Sequence, residues 1–211
     1  YATGYGNAHI AAQTIAFQIW LFFAFFIDGY SSVGNIMSGK FLGQAKPETI
    51  TELSKALVRY TILITLIIGS LCFIFYTKIG LIFSKDPEVL SLFYQIFWLV
   101  ILMQPINAIA FVFDGIFKGM AEAVTLRNTL LIATFLGFAP TLLLTDYYGL
   151  ELYGIWIAFW VWMMLRGGIL MVVYNKKYLN FSKMISSISS KDNSRDKITR
   201  ATPTLFQKRT A

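Results

Sequence analysis

Three ionisable side chains, Asp28, Asp114 and Arg166, lie inside long apolar stretches of this sequence. A charge in such surroundings is costly and marks a pairing, a proton relay or contact with water. Asp114 stands four residues before Lys118, so the two share a helix face and are expected to form a local ion pair. Arg166 reads as a structural anchor that snorkels toward the nearer membrane surface. Asp28 has Ala24, Phe25, Ser31 and Ser32 at its helical neighbour positions, none of them charged. It must find a cation on another helix, hydrogen-bond locally and stay protonated, or face a wet cavity. Arg166 is the cation at matching depth, so an Asp28–Arg166 pair is expected. A proton-titrating coupling site at Asp28 is the other reading.

A second kind of chemistry resides in Gln104-Pro105-Ile106-Asn107. Proline inside a helix frees the carbonyl four residues back, here Ile101, and kinks the axis. The flanking amides can then bond freed backbone, a ligand or an ion. Pro140 has the same effect in a later apolar stretch. Proline-broken spans can mark binding sites in membrane transporters; a purely structural kink is the alternative. Metal chemistry is not expected: the single His9 has no Cys or Glu at ligand spacing. The one cysteine, Cys72, cannot form an intrachain disulfide and reads as a small buried residue. No phosphate loop, Ser/His/Asp set or paired-carboxylate site is visible, so an enzyme is not expected, and transport would draw on an ion gradient or be passive.

These residues must be positioned by membrane helices. Of the 211 residues, 56% are hydrophobic and 14% charged, with a mean hydropathy of +0.61. Soluble domains are about 25% charged, so a free-standing soluble enzyme and a disordered chain are both excluded. Five segments are long and apolar enough to cross a bilayer, at about 10–36, 60–77, 89–116, 128–145 and 152–174. None alternates with period two, so the fold class is an all-α polytopic transmembrane bundle. Asp86-Pro87-Glu88 supplies an N-cap, a Pro at N1 and a first-turn acid for the third span. Pro47-Glu48 likewise begins a helix whose face carries Ile50, Leu53 and Leu57, an amphipathic turn expected outside the membrane.

Charge fixes an expected orientation. Residues 1–175 hold nine basic and nine acidic side chains, whereas 176–211 hold nine basic and two acidic, which is the whole formal charge of +7. Loops on the tail side are the more basic, which predicts a cytoplasmic tail and an external Tyr1. A basic tail beside apolar spans points to anionic lipid rather than nucleic acid. Phe181, Met184, Ile185 and Ile188 could form the apolar face of an interfacial helix, though the serines around them favour disorder equally, and disorder is expected beyond Lys191. The opening Tyr1-Ala-Thr-Gly, without Met or cleavage signal, reads as the middle of a longer protein.

Two short echoes involve glycine. Phe26-Ile-Asp-Gly29 parallels Val112-Phe-Asp-Gly115, and Gly39-Lys-Phe-Leu-Gly43 shares its small-xxx-small spacing with Gly115-Ile-Phe-Lys-Gly119. Such spacings allow helices to approach closely.

Together these segments resemble the C-terminal lobe of a MATE (multidrug and toxic compound extrusion) transporter of the DinF-like branch. The resemblance rests on Ile10-Ala-Ala-Gln-Thr-Ile-Ala-Phe-Gln-Ile-Trp20, Phe26-Ile-Asp-Gly29, Ser38-Gly-Lys-Phe-Leu-Gly43, Gln104-Pro-Ile-Asn107, Phe113-Asp-Gly115, Lys118-Gly119, Leu126-Arg-Asn128 and Leu165-Arg-Gly167, and covers about residues 3–174. It implies that the five spans are the eighth to twelfth of a twelve-helix, two-lobe fold, and that an N-terminal lobe is the missing partner. It further implies export of cationic, aromatic compounds against H⁺ or Na⁺, with no other cofactor. Gln104, Asn107, Phe17, Trp20, Trp98 and Met103 would line part of the cavity. The sequence departs from the family at Gln13, where His is common. It also departs at Asn107, which falls where the NorM-like branch has a cation-binding Asp. In DinF-like members the titrating Asp lies in the first helix, outside this chain. Two rival readings are a flippase for lipid-linked substrates and a non-transporting scaffold or inactive half-transporter that associates through its glycine faces.

Overall fold

The computed structural model describes residues 6–44 and 46–179. Among these there is no strand, and the elements are helices and two π segments. Helix α1 (Asn7–Gly43) is followed by α2 (Pro47–Ile74), a short α3 (Tyr76–Phe83) and the pair α4 (Pro87–Leu102) and α5 (Gln104–Gly119). Then come α6 (Ala123–Ile132), a π segment (Ala133–Phe138), α7 (Ala139–Tyr147), α8 (Glu151–Tyr174) and a π turn (Asn175–Leu179). Four helical stretches are long and apolar enough to span a membrane, and α4 with α5 makes a fifth, bent by 48°. The expected all-α helical bundle is therefore what the chain forms, with four spans, or five where the bent pair crosses as one.

Several bounds differ from expectation. At 37 residues α1 overruns its expected span, reaching about 55 Å at 1.5 Å per residue, against a hydrocarbon core of about 30 Å. The second span is one continuous helix from Pro47, and its first turns are amphipathic as expected. Ile50 and Leu57 are buried and Lys55 and Arg59 exposed. It stops at Ile74, not 77, and the chain resumes as α3. Asp86 caps α4 as anticipated, its carboxylate accepting from the Glu88 amide at 2.9 Å. The interfacial-helix reading of Phe181, Met184, Ile185 and Ile188 lies outside the described residues.

Among the described residues, one packed unit runs through Val172. Its core draws Ala12, Ala16, Ile19, Phe23 and Ile27 from α1, Phe93, Phe97 and Val100 from α4, and Leu152 and Trp156 from α8. The buried positions of α1 recur every three or four residues from Ala12 to Ser38, which is one face of an α-helix. Toward its C-terminal end that face becomes small: Ser31, Gly34 and Ser38 are buried. There α5 lies almost backbone to backbone with α1. A Cβ at Gly115 would collide with the Ser31 carbonyl oxygen, and one at Gly119 with the Asn35 carbonyl and the Ser38 hydroxyl. The Ser38 hydroxyl donates across this seam to the Ile116 carbonyl at 3.0 Å. The small-xxx-small spacing of Gly115 and Gly119 is thus an interhelical contact.

Candidate functional site

The polar residues of α5 form one stripe, interrupted by Phe111. Gln104, Asn107, Phe111, Asp114 and Lys118 are spaced three, four, three and four residues apart, so all five share a helix face. The stripe starts at the break in the third span. Pro105 has no amide hydrogen to continue the ladder, and α4 ends at Leu102. Side-chain donors bond carbonyls near the break: Gln104 Nε2 donates to Val100 at 2.8 Å and Trp160 Nε1 to Leu99 at 2.9 Å. Asn107 Nδ2 then donates to Gln104 Oε1 at 3.0 Å. This chain of amides ends at Asn107 Oδ1, a buried acceptor without a partner in the structure. Buried acceptors of that kind are rare and need explanation.

Asp114 carries the next part of the stripe. Its Oδ2 lies 2.7 Å from Lys118 Nζ, the expected local pair. Its Oδ1 lies 2.7 Å from Arg166 Nη2 on α8. Arg166 therefore pairs with Asp114, and the expected Asp28–Arg166 pair does not form. The reason is azimuth rather than depth. Between the buried Ile27 and Ser31, Asp28 falls on the exposed flank of α1, while α8 meets α5 closely where Gly167 abuts Ala110. The guanidinium also lies over two rings, 5.8 Å from the Phe111 centroid and 5.6 Å from that of Trp162.

The expected aromatic residues divide. Phe17 stacks on Trp20 with centroids 5.4 Å apart. Trp20 in turn meets Phe111 at 6.4 Å and Phe159 at 6.3 Å, and its Nε1 is a buried donor without a partner. Trp98 is exposed on α4, and among the described residues it makes none of these ring contacts. Met103, expected on a cavity wall, is fully enclosed by the core at the helix break, and Gln104 and Asn107 are likewise buried within the bundle. Gln13 accepts from Trp156 Nε1 at 2.9 Å and so ties α1 to α8. His9 Nε2 lies 3.0 Å from Glu151 Oε2 about one turn nearer the N-termini of the same two helices. Cys72, expected buried, is half-buried and lines an apolar groove of about 450 Å³ with Gln18, Phe22, Phe25 and Phe83.

The sequence reading missed two features. The π segment before Pro140 widens the helix and opens a groove of about 270 Å³ lined by Thr134, Phe138, Phe159 and Trp162. Here the signal was present, since Pro140 marked the disturbed turn. The other is a polar flank on α1, where Thr14, Gln18, Asp28, Ser32 and Asn35 are all exposed. At 3.6 residues per turn they fall within roughly a third of the circumference. Their i+3/i+4 spacing was legible but divided by Phe25.

A bundle of apolar helices with a proline-broken span and a buried polar stripe is that of a multi-pass membrane protein. The model of the MatE family matches residues 1–143, and the chain belongs to that family. It is 27% identical over 157 residues to Protein DETOXIFICATION 45, chloroplastic, of Arabidopsis thaliana, covering 74% of this chain and 28% of that protein. It is 24% identical over 177 residues to DNA damage-inducible protein F of Escherichia coli, covering 83% and 38% respectively. The Multidrug and toxin extrusion protein 2 of Oryctolagus cuniculus is 26% identical over 95 residues, covering 44% of this chain and 16% of its own length. The chain thus spans well under half of each of these relatives.

Proposed function

We propose that this chain forms the C-terminal lobe of a secondary active exporter that exchanges cationic or aromatic compounds for H⁺ or Na⁺. It works with an N-terminal lobe, in the cell membrane, with its tail in the cytoplasm and Tyr1 outside. It carries no catalytic chemistry of its own. The observation behind this reading is the buried amide chain at the broken span. Asn107 Oδ1 offers an unpartnered acceptor one helical turn from Phe111, whose ring meets Trp20. The acceptor is enclosed in this conformation; once the helix break opens, an ammonium N–H of an aromatic ligand would satisfy it while the ligand's rings stack on Trp20 and Phe111. The polar flank of α1 supports the same reading, because Asp28 cannot face lipid cheaply and is suited to a wet cavity between two lobes. The family relatives named for detoxification and multidrug extrusion support it by analogy.

The test is ethidium uptake into inverted membrane vesicles holding the native polypeptide, under an imposed proton or sodium gradient. An antibody against residues 191–211 establishes the mass at which that polypeptide runs, against 23.9 kDa for this chain. Gradient-driven uptake that falls several-fold in Asn107→Leu is the expected result. Uptake indifferent to both gradients, or equal in Asn107→Leu, overturns the reading.

A further inference from the structure

Among the described residues Asp114 is the acid that is buried, and a built-in cation already occupies it. The Arg166 guanidinium bonds one carboxylate oxygen at 2.7 Å and lies against the faces of Phe111 and Trp162. A carboxylate set beside aromatic faces is what recognises a flat, delocalised organic cation. The 270 Å³ groove at the π segment shares the Trp162 ring with this cage, and Phe138 and Phe159 form its other walls. That volume accommodates two or three fused rings. Trp162 is held in place by donating from Nε1 to Thr134 Oγ1 at 3.2 Å, so it can serve both compartments.

We propose that Asp114, Phe111, Trp162 and the adjoining groove form a binding site for planar aromatic cations, and that Arg166 is its resident competitor. The ligand lays its rings in the groove and its charged group takes the place of the guanidinium on Asp114. Exchange of one cation for another never leaves Asp114 without a counter-charge, which avoids the large cost of an unpaired buried ion. The displaced Arg166 extends along its aliphatic stem toward the nearer surface. Lys118 stays on Asp114 Oδ2 throughout, since its amine is half-exposed and makes no ring contact with Phe111 or Trp162. This proposal rests on the reading that the lobe handles cations, but it concerns binding alone and can fail independently.

The experiment is a titration of the purified chain in detergent with ethidium, followed by fluorescence anisotropy. Arg166→Gln should tighten binding about tenfold, the scale of one desolvated cation–π and charge contact. Lys118→Gln removes the same charge from the same carboxylate but leaves the cage occupied, and should change affinity less than about twofold. Asp114→Asn combined with Arg166→Gln should abolish the gain. Should Arg166→Gln not yield folded protein, Arg166→Lys keeps the charge, loses the planar fork and should tighten binding several-fold. Equal gains in Arg166→Gln and Lys118→Gln would reduce the effect to net charge and overturn the proposal. Unchanged or weaker binding in Arg166→Gln or Arg166→Lys overturns it as well. Gradient-driven transport with unaltered binding in these variants refutes this site alone. The predicted binding pattern without transport refutes the exporter reading and leaves the site standing.

Discussion

Adding one methyl group at Gly115 should separate α1 from α5. The Cβ of Gly115→Ala would sit 2.6 Å from the Ser31 hydroxyl oxygen and 2.8 Å from the Ser31 carbonyl carbon, and closer still to the carbonyl oxygen. Carbon contacts become comfortable only near 3.5 Å, so α1 must retreat by about 1 Å. The obstacle is backbone and cannot rotate aside. Retreat also stretches the Ser38–Ile116 hydrogen bond, now 3.0 Å. Overpacking of this kind costs about 1–3 kcal/mol. At about 2–4 °C per kcal/mol for a chain of this size, the melting point should fall by roughly 2–12 °C. Gly29→Ala is the control. A Cβ there meets nothing within 4 Å, and alanine gains up to about 1 kcal/mol of helix propensity. The assay is a thermal melt with a thiol-reactive dye, because Cys72 is the chain's one cysteine and becomes fully accessible only on unfolding. A Gly115→Ala melting point at or above wild type, or equal losses in both variants, would refute the backbone-contact account.

The Asp114 cluster should respond by rank. Asp114→Asn leaves Arg166 and Lys118 facing each other without a counter-charge and should cost about 3–5 kcal/mol. Lys118→Gln, at a side chain 55% exposed, should cost less than about 1 kcal/mol in the same melt, and a reversed order would contradict the assigned pairing. Ala121 closes α5 with φ 58°, while its amide bonds the Lys118 carbonyl and that of Glu122 bonds Phe117. This is a Schellman closure normally made by glycine, so Ala121→Gly should raise stability by up to about 1 kcal/mol, and a lower melting point would count against it. Pro105→Ala restores an amide hydrogen and should relax the 48° bend. Spin labels at Ser91 and Lys118 would then move apart by up to about 3 Å at 1.5 Å per residue, whereas an unchanged distance would mean that packing, not proline, holds the bend.

What could be read in advance divides along a physical line. Span number, helix type, the Asp86 cap and the two disturbed turns follow from local chemistry, because hydropathy, capping and proline act within a few residues. The Asp114–Lys118 pair belongs to the same category, since i,i+4 geometry is internal to one helix. Arg166 does not. Its depth was legible and matched Asp28, but its partner depends on which helix faces α8 and with which flank. The small residues settle that. Ser31, Gly34 and Ser38 on α1 and Gly115 and Gly119 on α5 draw the two helices together, which commits the Asp114 stripe to the interior and leaves Asp28 on the outer flank. Both halves of that statement were written in the sequence as spacings: 31, 34 and 38 on one helix, and 104, 107, 111, 114 and 118 on the other. Read jointly, they identify Asp114 as the buried acid, because a carboxylate in register with an interface-forming glycine row must find its cation within the bundle. Asp28, three residues before the buried Ser31, lies on the exposed flank of α1 and has no such constraint among the described residues.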